Sequence, residues 1–377
     1  MARWHGGIVD AMNLFDLDTP ALVLDLDKVE SNVAAMGDLA RQAGVRLRPH
    51  TKTHKIPELA LLQMAAGAAG ITCAKVGEAE VMVDAGLDDI LVAYPVWGAS
   101  KIDRLAALRE RARVVVSLDS LDVAQGLSRL GVHGVGPLEV YVEVDTGHHR
   151  LGRPPGAPSA ELVRQVAEVP GLVVIGLLTH AGHAYAQRDP VERDVVIQRE
   201  VDDLMATREL CAQLGVTFDE ISVGSTPSAR GEARRGAEGV TEIRPGTYIF
   251  NDTAMVDLGV ATYDQCAAFV VTTVVSRPDR RRFVVDAGTK CLTSDGLARP
   301  DWIKVAGWDD LRMEFLTEEH GVGAIDPSAG GQLEIGDKLL LIPSHVCPVV
   351  NLFDTAHVVR GEDVVGELLV RGRGKVR

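Results

Sequence analysis

The chain has 377 residues, with 39 Lys and Arg against 53 Asp and Glu, a formal net charge of −14. That sign argues against a general nucleic-acid binder, which needs a basic surface to displace counterions from phosphates. A composition of 46% hydrophobic and 24% charged residues is globular rather than disordered, and no apolar run reaches the roughly 18 residues of a membrane span.

Along the chain, residues 21–25 (ALVLD) read as a first strand. Short β-branched runs then alternate with Ala-, Leu-, Arg- and Glu-rich stretches of helical period, the pattern of parallel βα units. Strands are predicted at 45–48, 70–73, 89–93, 113–118, 138–144, 172–178, 220–223 and 241–244. Helices are predicted between them, among them 56–66, 76–85, 101–111, 160–169 and 191–214, with Asp119-Ser120 and Ser159 placed as N-caps. Eight such units suit a (β/α)8 TIM barrel, for which roughly 250 residues is usual; a doubly wound open sheet has a similar strand count. After about residue 255 the pattern changes to strands at 269–275, 282–286, 338–342 and 364–370 without long helices. The expected division is a barrel over 26–255 and a mainly β domain built from 256–377 together with residues 1–25 and their early strand.

The N-terminal stretch MARWHGGIVDAMNLFDLDTP lacks the basic start and apolar run of a secretory signal. Cysteines 73, 211, 266, 291 and 347 are odd in number and scattered, so they form no disulfide framework. Together these features predict a soluble, cytoplasmic protein with reduced thiols.

Chemically interesting residues cluster just after predicted strands, positions that share one rim in a barrel. Lys52 follows the first strand in RPHTKTHK, where His50, Lys52, His54 and Lys55 crowd together. Mutual repulsion there lowers an ammonium pKa, as a Schiff-base lysine requires, although a lysine between strand and helix is ordinarily a solvated one. Arg150 follows the fifth strand in EVDTGHHRLG, with Asp145 and Glu143 as alternative ion-pair partners. His180, His183 and Tyr185 follow the sixth in THAGHAY, and the histidines can equally be structural. Gly224, Ser225 and Thr226 follow the seventh in SVGSTPS, and Gly246 with Thr247 follows the eighth in EIRPGTY. The Gly-Ser-Thr turn reads either as a plain turn or as a phosphate cradle of backbone N–H groups and hydroxyls. In the β domain, IPSHVCPVVN places His345 and Cys347 two apart, on one face if the segment is an extended strand. A thiolate and an imidazole suit Zn²⁺ better than Mg²⁺ or Ca²⁺, and two protein ligands leave the shell open.

Taken together, LDTPALVLDLDKVESN (17–32), RPHTKTHK (48–55), GITCAKVGEAEVM (70–82), VEVDTGHHRLG (142–152), LLTHAGHAY (177–185), SVGSTPS (222–228), EIRPGTYIFND (242–252), VDAGTK (285–290), EEHG (318–321) and SHVCPVVNL (344–352) resemble the family of D-threonine aldolases and D-serine dehydratases. That family has the alanine-racemase type of fold, a barrel followed by a β domain that takes an early strand. The resemblance implies a homodimer that uses pyridoxal 5'-phosphate and a divalent metal, zinc or manganese, on a small D-amino acid. It implies that Lys52 carries the cofactor, that Arg150, Tyr185, Gly224, Ser225, Thr226, Gly246 and Thr247 surround it, and that His345 and Cys347 hold the metal. Leu178, where the dehydratase branch often has tyrosine, departs from that branch. Cys347 matches the dehydratases, since the best-known aldolases pair the metal histidine with aspartate. GITCAKVGEAEVM and PVVNLFD look closer to low-specificity aldolases.

The expected reaction is retro-aldol cleavage of a D-3-hydroxy amino acid to glycine and an aldehyde, with His180 or His183 taking the hydroxyl proton. The alternative is β-elimination to a keto acid and ammonia, with Lys52 taking the Cα proton. A non-catalytic cofactor carrier and a racemase are the remaining alternatives.

Overall fold

The computed structural model describes residues 12–295, 302–326 and 333–377. Residues 1–11 of the stretch read for a secretory signal lie outside the described residues. Among the described residues no helix is long and apolar enough to cross a membrane. The chain divides into two compact units.

One unit comprises 34–52, 57–246 and Lys375–Arg377. Its strands are β1 (Arg46–Leu47), β2 (Ile71–Cys73), β3 (Asp89–Val92), β4 (Arg113–Leu118), β5 (Leu138–Glu143), β6 (Leu172–Leu178), β7 (Glu220–Val223) and β8 (Glu242–Ile243). All pair in parallel, in the order β1-β8-β7-β6-β5-β4-β3-β2. The two ends of this sheet meet at a parallel bridge between His50 and Thr72, with Ala69 N to Leu47 O and Thr72 N to Pro49 O each 2.8 Å. The result is the expected (β/α)8 barrel.

Runs such as RVVVSL in β4, buried at five of six positions, reflect strands covered on both faces. The helix Leu121–Val132 buries Val123, Ala124, Leu127 and Leu130, one stripe at helical spacing, and Ser120 caps it by accepting from Val123 N at 3.4 Å. Ser159 differs from its expected role. The helix Ala157–Ala167 starts at Gly156, and the Ser159 hydroxyl donates backward to Arg153 O (3.1 Å) and Pro154 O (2.8 Å). Pro158 just inside that start tolerates the missing N–H, which moves the helix boundary upstream of the serine.

The barrel interior carries charge. Arg48, 3% exposed, donates to Glu242 (2.8 Å) and Asp89 (2.5 Å), while Arg46 pairs with Glu220 at 2.8 Å and Tyr141 also donates to Glu220. Arg113 extends the chain through Asp89 (2.9 Å) and Glu139 (2.6 Å). Toward the strand ends, Ser222 donates to Glu242 at 2.6 Å and accepts from the buried Arg244 at 2.6 Å.

The other unit comprises 12–33, Thr53–Ile56 and Thr247–Gly374. Its ten strands run in the order Met12–Asn13, Asp363–Leu369, Thr355–Arg360, Ala21–Asp25, Ala268–Asp279, Arg282–Val285, Gly321–Ile325, Leu311–Leu316, Lys304–Val305 and Lys338–Ile342. Lys338–Ile342 also pairs with Ala268–Asp279, so the last six strands close into an antiparallel barrel. The early strand Ala21–Asp25 joins this sheet, as expected from the sequence. Asp363–Leu369 alternates exposed and buried along its length, the mark of a strand with one wet face. Asp286 anchors the sheet, accepting from Thr272 (2.6 Å), Thr19 (2.6 Å) and the Thr273 N–H (2.9 Å). The segment holding His345 and Cys347 is not an extended strand. The strand ends at Ile342, His345 is the N-cap, and Val346–Val350 is a short helix.

Replacing Arg48 by Met strips Glu242 and Asp89 of their buried partner, and loss of one member of a buried pair costs about 3–5 kcal/mol. Denaturant unfolding of Arg48→Met is expected to show that loss, and adding Glu242→Gln is expected to restore part of it.

Candidate active site

Because the barrel strands are parallel, the segments that follow them emerge on one rim. Lys52 lies half-buried in the 3₁₀ turn Thr51–Thr53 after β1. The turn is fixed by the Thr51 hydroxyl against Thr72 O (3.0 Å) and Glu78 (2.5 Å). The imidazoles that feel the Lys52 charge are His50 and His180. His50 is held well below the ordinary histidine range by burial, then by Lys52, Arg244 and His180. His54, which the sequence crowds against Lys52, is fully buried and accepts from Ile56 N at 3.0 Å within its own turn.

His180 follows β6. Its Nδ1 lies 2.8 Å from the carbonyl oxygen of Gly224, an acceptor only, so Nδ1 carries the proton and Nε2 keeps its lone pair. Burial first, then Lys52 and Arg150, hold this imidazole well below the ordinary range, against the opposing Gly224 bond. His148 meets His180 edge to face with ring centroids 5.5 Å apart, and its own pKa is lowered by burial and then by Arg150. His183 sits in the 3₁₀ turn Gly182–Ala186 with a buried, unpartnered Nδ1, and burial followed by His148 lowers its pKa. Tyr185 is half-buried in the same turn. Arg150 reaches Glu143, Nη2 to Oε1 3.7 Å, whereas Asp145 is occupied by His149 Nδ1 (2.9 Å) and the Gly147 and His149 N–H groups. Of the two carboxylates open to Arg150 in the sequence, Glu143 is therefore its partner.

The Gly224–Thr226 turn after β7 is packed against the end of β8. Gly224 has φ +141°, and a Cβ there would lie 2.5 Å from Arg244 N, so only glycine fits. Ser225 and Thr226 are 3% and 7% exposed. Arg244 donates to Thr179 O and Ser222 Oγ, and Gly246 follows it. Arg244, His148 and His50 were missed by sequence reasoning as site residues. Their signal was present, since Arg244 ends a predicted strand and the histidines lie inside the motifs already singled out.

In the other unit, His345 and Cys347 come together despite the helical turn. A hydrogen bond to Cys347 helps raise the His345 pKa to about 9, against burial and with support from Asp252 and Asp295. His345 Nδ1 is 2.5 Å from Asp295 Oδ2, and Cys347 Sγ lies 3.2 Å from Thr53 Oγ1 and 3.8 Å from Thr247 Oγ1. Asp252 N-caps Thr253–Asp257 through Met255 N (3.0 Å) and also accepts from Val346 N (3.0 Å), so one buried carboxylate sets where the His345–Cys347 turn begins. The other cysteines are buried and form no disulfide, and burial pushes Cys211 up to about 11 and Cys266 and Cys291 up to about 12. Those three thiols stay protonated and inert.

The residues fit the implied groups. A strand-end lysine amine, a buried turn with three hydroxyls and no carboxylate in Gly224–Ser228, and the Arg150 and Arg244 guanidinium groups suit a phosphorylated carbonyl cofactor. For a metal, the His345–Cys347 contact is a proton position that a borderline-soft cation can take over, with Asp295 as the outer partner of the histidine. Among the described residues no group of three or more His, Cys, Asp and Glu side chains forms a metal cage.

The alanine racemase N-terminal domain model matches residues 24–254, and the serine dehydratase domain model matches 267–359. A D-threonine aldolase of Arthrobacter sp. is 36% identical over 94% of this chain and 93% of its own length. The crystal structure of D-threonine aldolase from Filomicrobium marinum superposes with a TM-score of 0.90 at 35% identity, covering 97% of this chain and 99% of that one. D-threo-3-hydroxyaspartate dehydratase of Delftia sp. strain HT23 is 34% identical over 89% of this chain and 92% of its own. A cysteine-to-alanine variant of a dehydratase of that name, solved in the metal-free form, gives a TM-score of 0.86 at 30% identity, covering 95% of this chain and 98% of that one.

Gly224→Ala is expected to cost about 1–3 kcal/mol, because strain at positive φ and a backbone clash coincide. Gly98→Ala, at φ +103° with nothing within 4 Å of the new Cβ, is expected to cost about 1 kcal/mol from strain alone. Chemical denaturation of both variants separates the two contributions.

Proposed function

Because this chain belongs to the family that joins an alanine racemase N-terminal domain to a serine dehydratase domain, we propose that it is a lyase dependent on pyridoxal 5'-phosphate and a divalent metal, zinc or manganese, that cleaves D-3-hydroxy-α-amino acids to glycine and an aldehyde. The observation that carries the aldolase reading is the fixed tautomer of His180, whose Nε2 keeps an unprotonated lone pair on the same rim as Lys52. Retro-aldol cleavage needs a base for the β-hydroxyl proton in addition to the lysine, and a neutral imidazole is such a base.

In this reading Lys52 anchors the cofactor. Gly224, Ser225, Thr226, Gly246 and Thr247 receive its phosphate, and Arg150 and Tyr185 border its ring. His345 and Cys347 hold the metal. Pyridoxal phosphate, when bound, supplies the electron sink, and the metal supplies Lewis acidity toward a hydroxyl oxygen. His180 accepts the hydroxyl proton at Nε2 while Gly224 O keeps Nδ1 protonated, so the ring cannot turn away. His148, packed edge-on against His180, limits its rotation from the other side.

A second reading, β-elimination to a keto acid and ammonia with Lys52 as base at Cα, is favoured by the pairing of His345 with Cys347 rather than with an aspartate. The dehydratase relative in metal-free, cysteine-to-alanine form supports a metal role for such a cysteine in either reading. A bare cofactor carrier is disfavoured by the matched serine dehydratase domain, and a racemase has no positive support beyond the shared barrel. The same reading makes the protein a cytoplasmic homodimer whose partner is a small D-amino acid, not nucleic acid or membrane.

Product analysis tests it. Purified protein with pyridoxal phosphate and Zn²⁺ or Mn²⁺ is expected to convert D-threonine to glycine and acetaldehyde; ammonia and a keto acid instead would establish the dehydratase. Cys347→Ala is expected to lose bound metal, measured by elemental analysis, and turnover with it. Unchanged turnover would sink the metal assignment.

His180→Asn is expected to lower kcat by about 10²–10⁴-fold, the usual worth of a positioned base, and His183→Asn by much less. Because the His180 pKa is lowered, the base stays competent below the ordinary histidine value of about 6.5. The acid limb of the kcat profile should therefore lie under that pH, and a limb at or above it would remove His180 from the role.

A further inference from the structure

Behind the Gly224–Thr226 turn lies a group that the proposed chemistry does not use. Glu200, on the helix Pro190–Gln213, and Glu232, on the helix Ala229–Ala233, are both 0% exposed. None of their four carboxyl oxygens has a well-formed hydrogen bond from a protein donor. Gly231 allows this contact between helices, since a Cβ there would lie 2.6 Å from Ile197 Cδ1. The neighbouring cations are engaged elsewhere. Arg235 donates to Gly231 O (2.8 Å), Gln198 (2.8 Å) and Asp194 (3.1 Å), and Arg244 to Ser222 and Thr179 O. Arg234 leans on Asp194 at 3.9 Å.

Two ionised carboxylates buried side by side without a hydrogen-bonded cation are not sustainable, and one proton between them supplies a donor. The titration agrees. Burial first, then Glu232, raises Glu200 well above the carboxylate range; burial also raises Glu232, while Ser228, Arg244 and the bond from Glu200 pull it back.

The pair is wired to the turn. Glu232 N donates to Ser228 O (2.9 Å), Ser228 Oγ lies 2.6 Å from Ser225 Oγ, and Ala229 N donates to Ser225 O (3.0 Å). We infer that Glu200 and Glu232 share a proton that positions the Ser225–Thr226 turn for a phosphate group, so that losing the proton weakens phosphate binding. This rests on the proposed phosphate-binding reading of that turn. With the proton gone, two negative charges repel across the helix contact, Ser228 is displaced, and the added charge opposes a phosphate dianion.

The experiment titrates cofactor-free protein with pyridoxal phosphate and with pyridoxal, which lacks the phosphate, by fluorescence between about pH 7 and 9. The ratio of the two affinities cancels the chemistry at Lys52, common to both ligands. In the wild type this ratio is expected to fall roughly three- to tenfold as pH rises, the span of one coupled proton. In Glu232→Gln, whose amide donates without ionising, it is expected to stay flat, and Glu200→Gln is the second variant if the first does not fold. A flat wild-type ratio, or a wild-type slope in either variant, overturns the inference while leaving the phosphate reading intact. Equal affinity for the two ligands at every pH overturns the phosphate reading and this inference with it. Independently of any ligand, the wild type at neutral pH should show the infrared carbonyl stretch of an un-ionised carboxylic acid that Glu200→Gln lacks, and absence of that band in the wild type overturns the shared proton.

Discussion

The barrel depends on the ion pair between Arg48 and Glu242 inside its ring. Glu242 is fully buried and Arg48 nearly so, so removing either leaves a buried charge short of its main partner. The pair ties β1 to β8 at the point where the sheet closes, and through Asp89 it also holds β3. Glu242 then takes the Ser222 hydroxyl, and Ser222 takes Arg244. A structural pair in the interior is thereby linked by hydrogen bonds to the strand ends, and Arg244 arrives at the rim already oriented.

That arrangement explains why the rim is cationic on a protein of net charge −14. Burial holds His50 and His180 neutral, with Lys52 and Arg244 adding to it at both rings and Arg150 at His180. A positive rim attracts phosphate and carboxylate groups. It also keeps imidazoles in the form that accepts protons. In the proposed reading, binding an anionic amino-acid substrate and having a base ready for its hydroxyl would both follow from one distribution of charge.

Much of this was legible in the sequence. The eight barrel strands were visible because parallel strands buried on both faces leave continuous apolar runs, and the residues following them share a rim by geometry alone. The β domain was half legible. Leu311–Leu316 and Gly321–Ile325 alternate buried with wet positions and include Arg, Glu and Gly, so their strand signal is weak without the partners that pair with them. The burial of Arg244 and of the Glu200–Glu232 pair was invisible for another reason. A charged residue in a strand or helix reads as solvated, and only the packing of distant segments shows that it is buried. Ser159 looked like a cap because the helix start was set three residues late, a boundary that Gly156 and Pro158 decide together.

His345 and Cys347 were placed together on the wrong argument. An extended strand brings i and i+2 to one face, yet the strand stops at Ile342 and the pair spans a helix N-terminus. Convergence survives because the N-cap residue is itself extended, with φ −147° and ψ 106°, so His345 leaves the helix axis while Cys347 sits in the first turn. Two carboxylates then decide the geometry. Asp252 fixes the turn through Val346 N, and Asp295 fixes the imidazole through Nδ1. With Nδ1 so engaged, the histidine has its other ring nitrogen to offer toward Cys347, and under the proposed metal reading the imidazole and the sulfur would act as a soft, two-ligand pair. A carboxylate in place of Cys347 would harden that donor set, so in this reading the metal preference would rest on the sulfur, while the shape of the turn rests on Asp252 and Asp295.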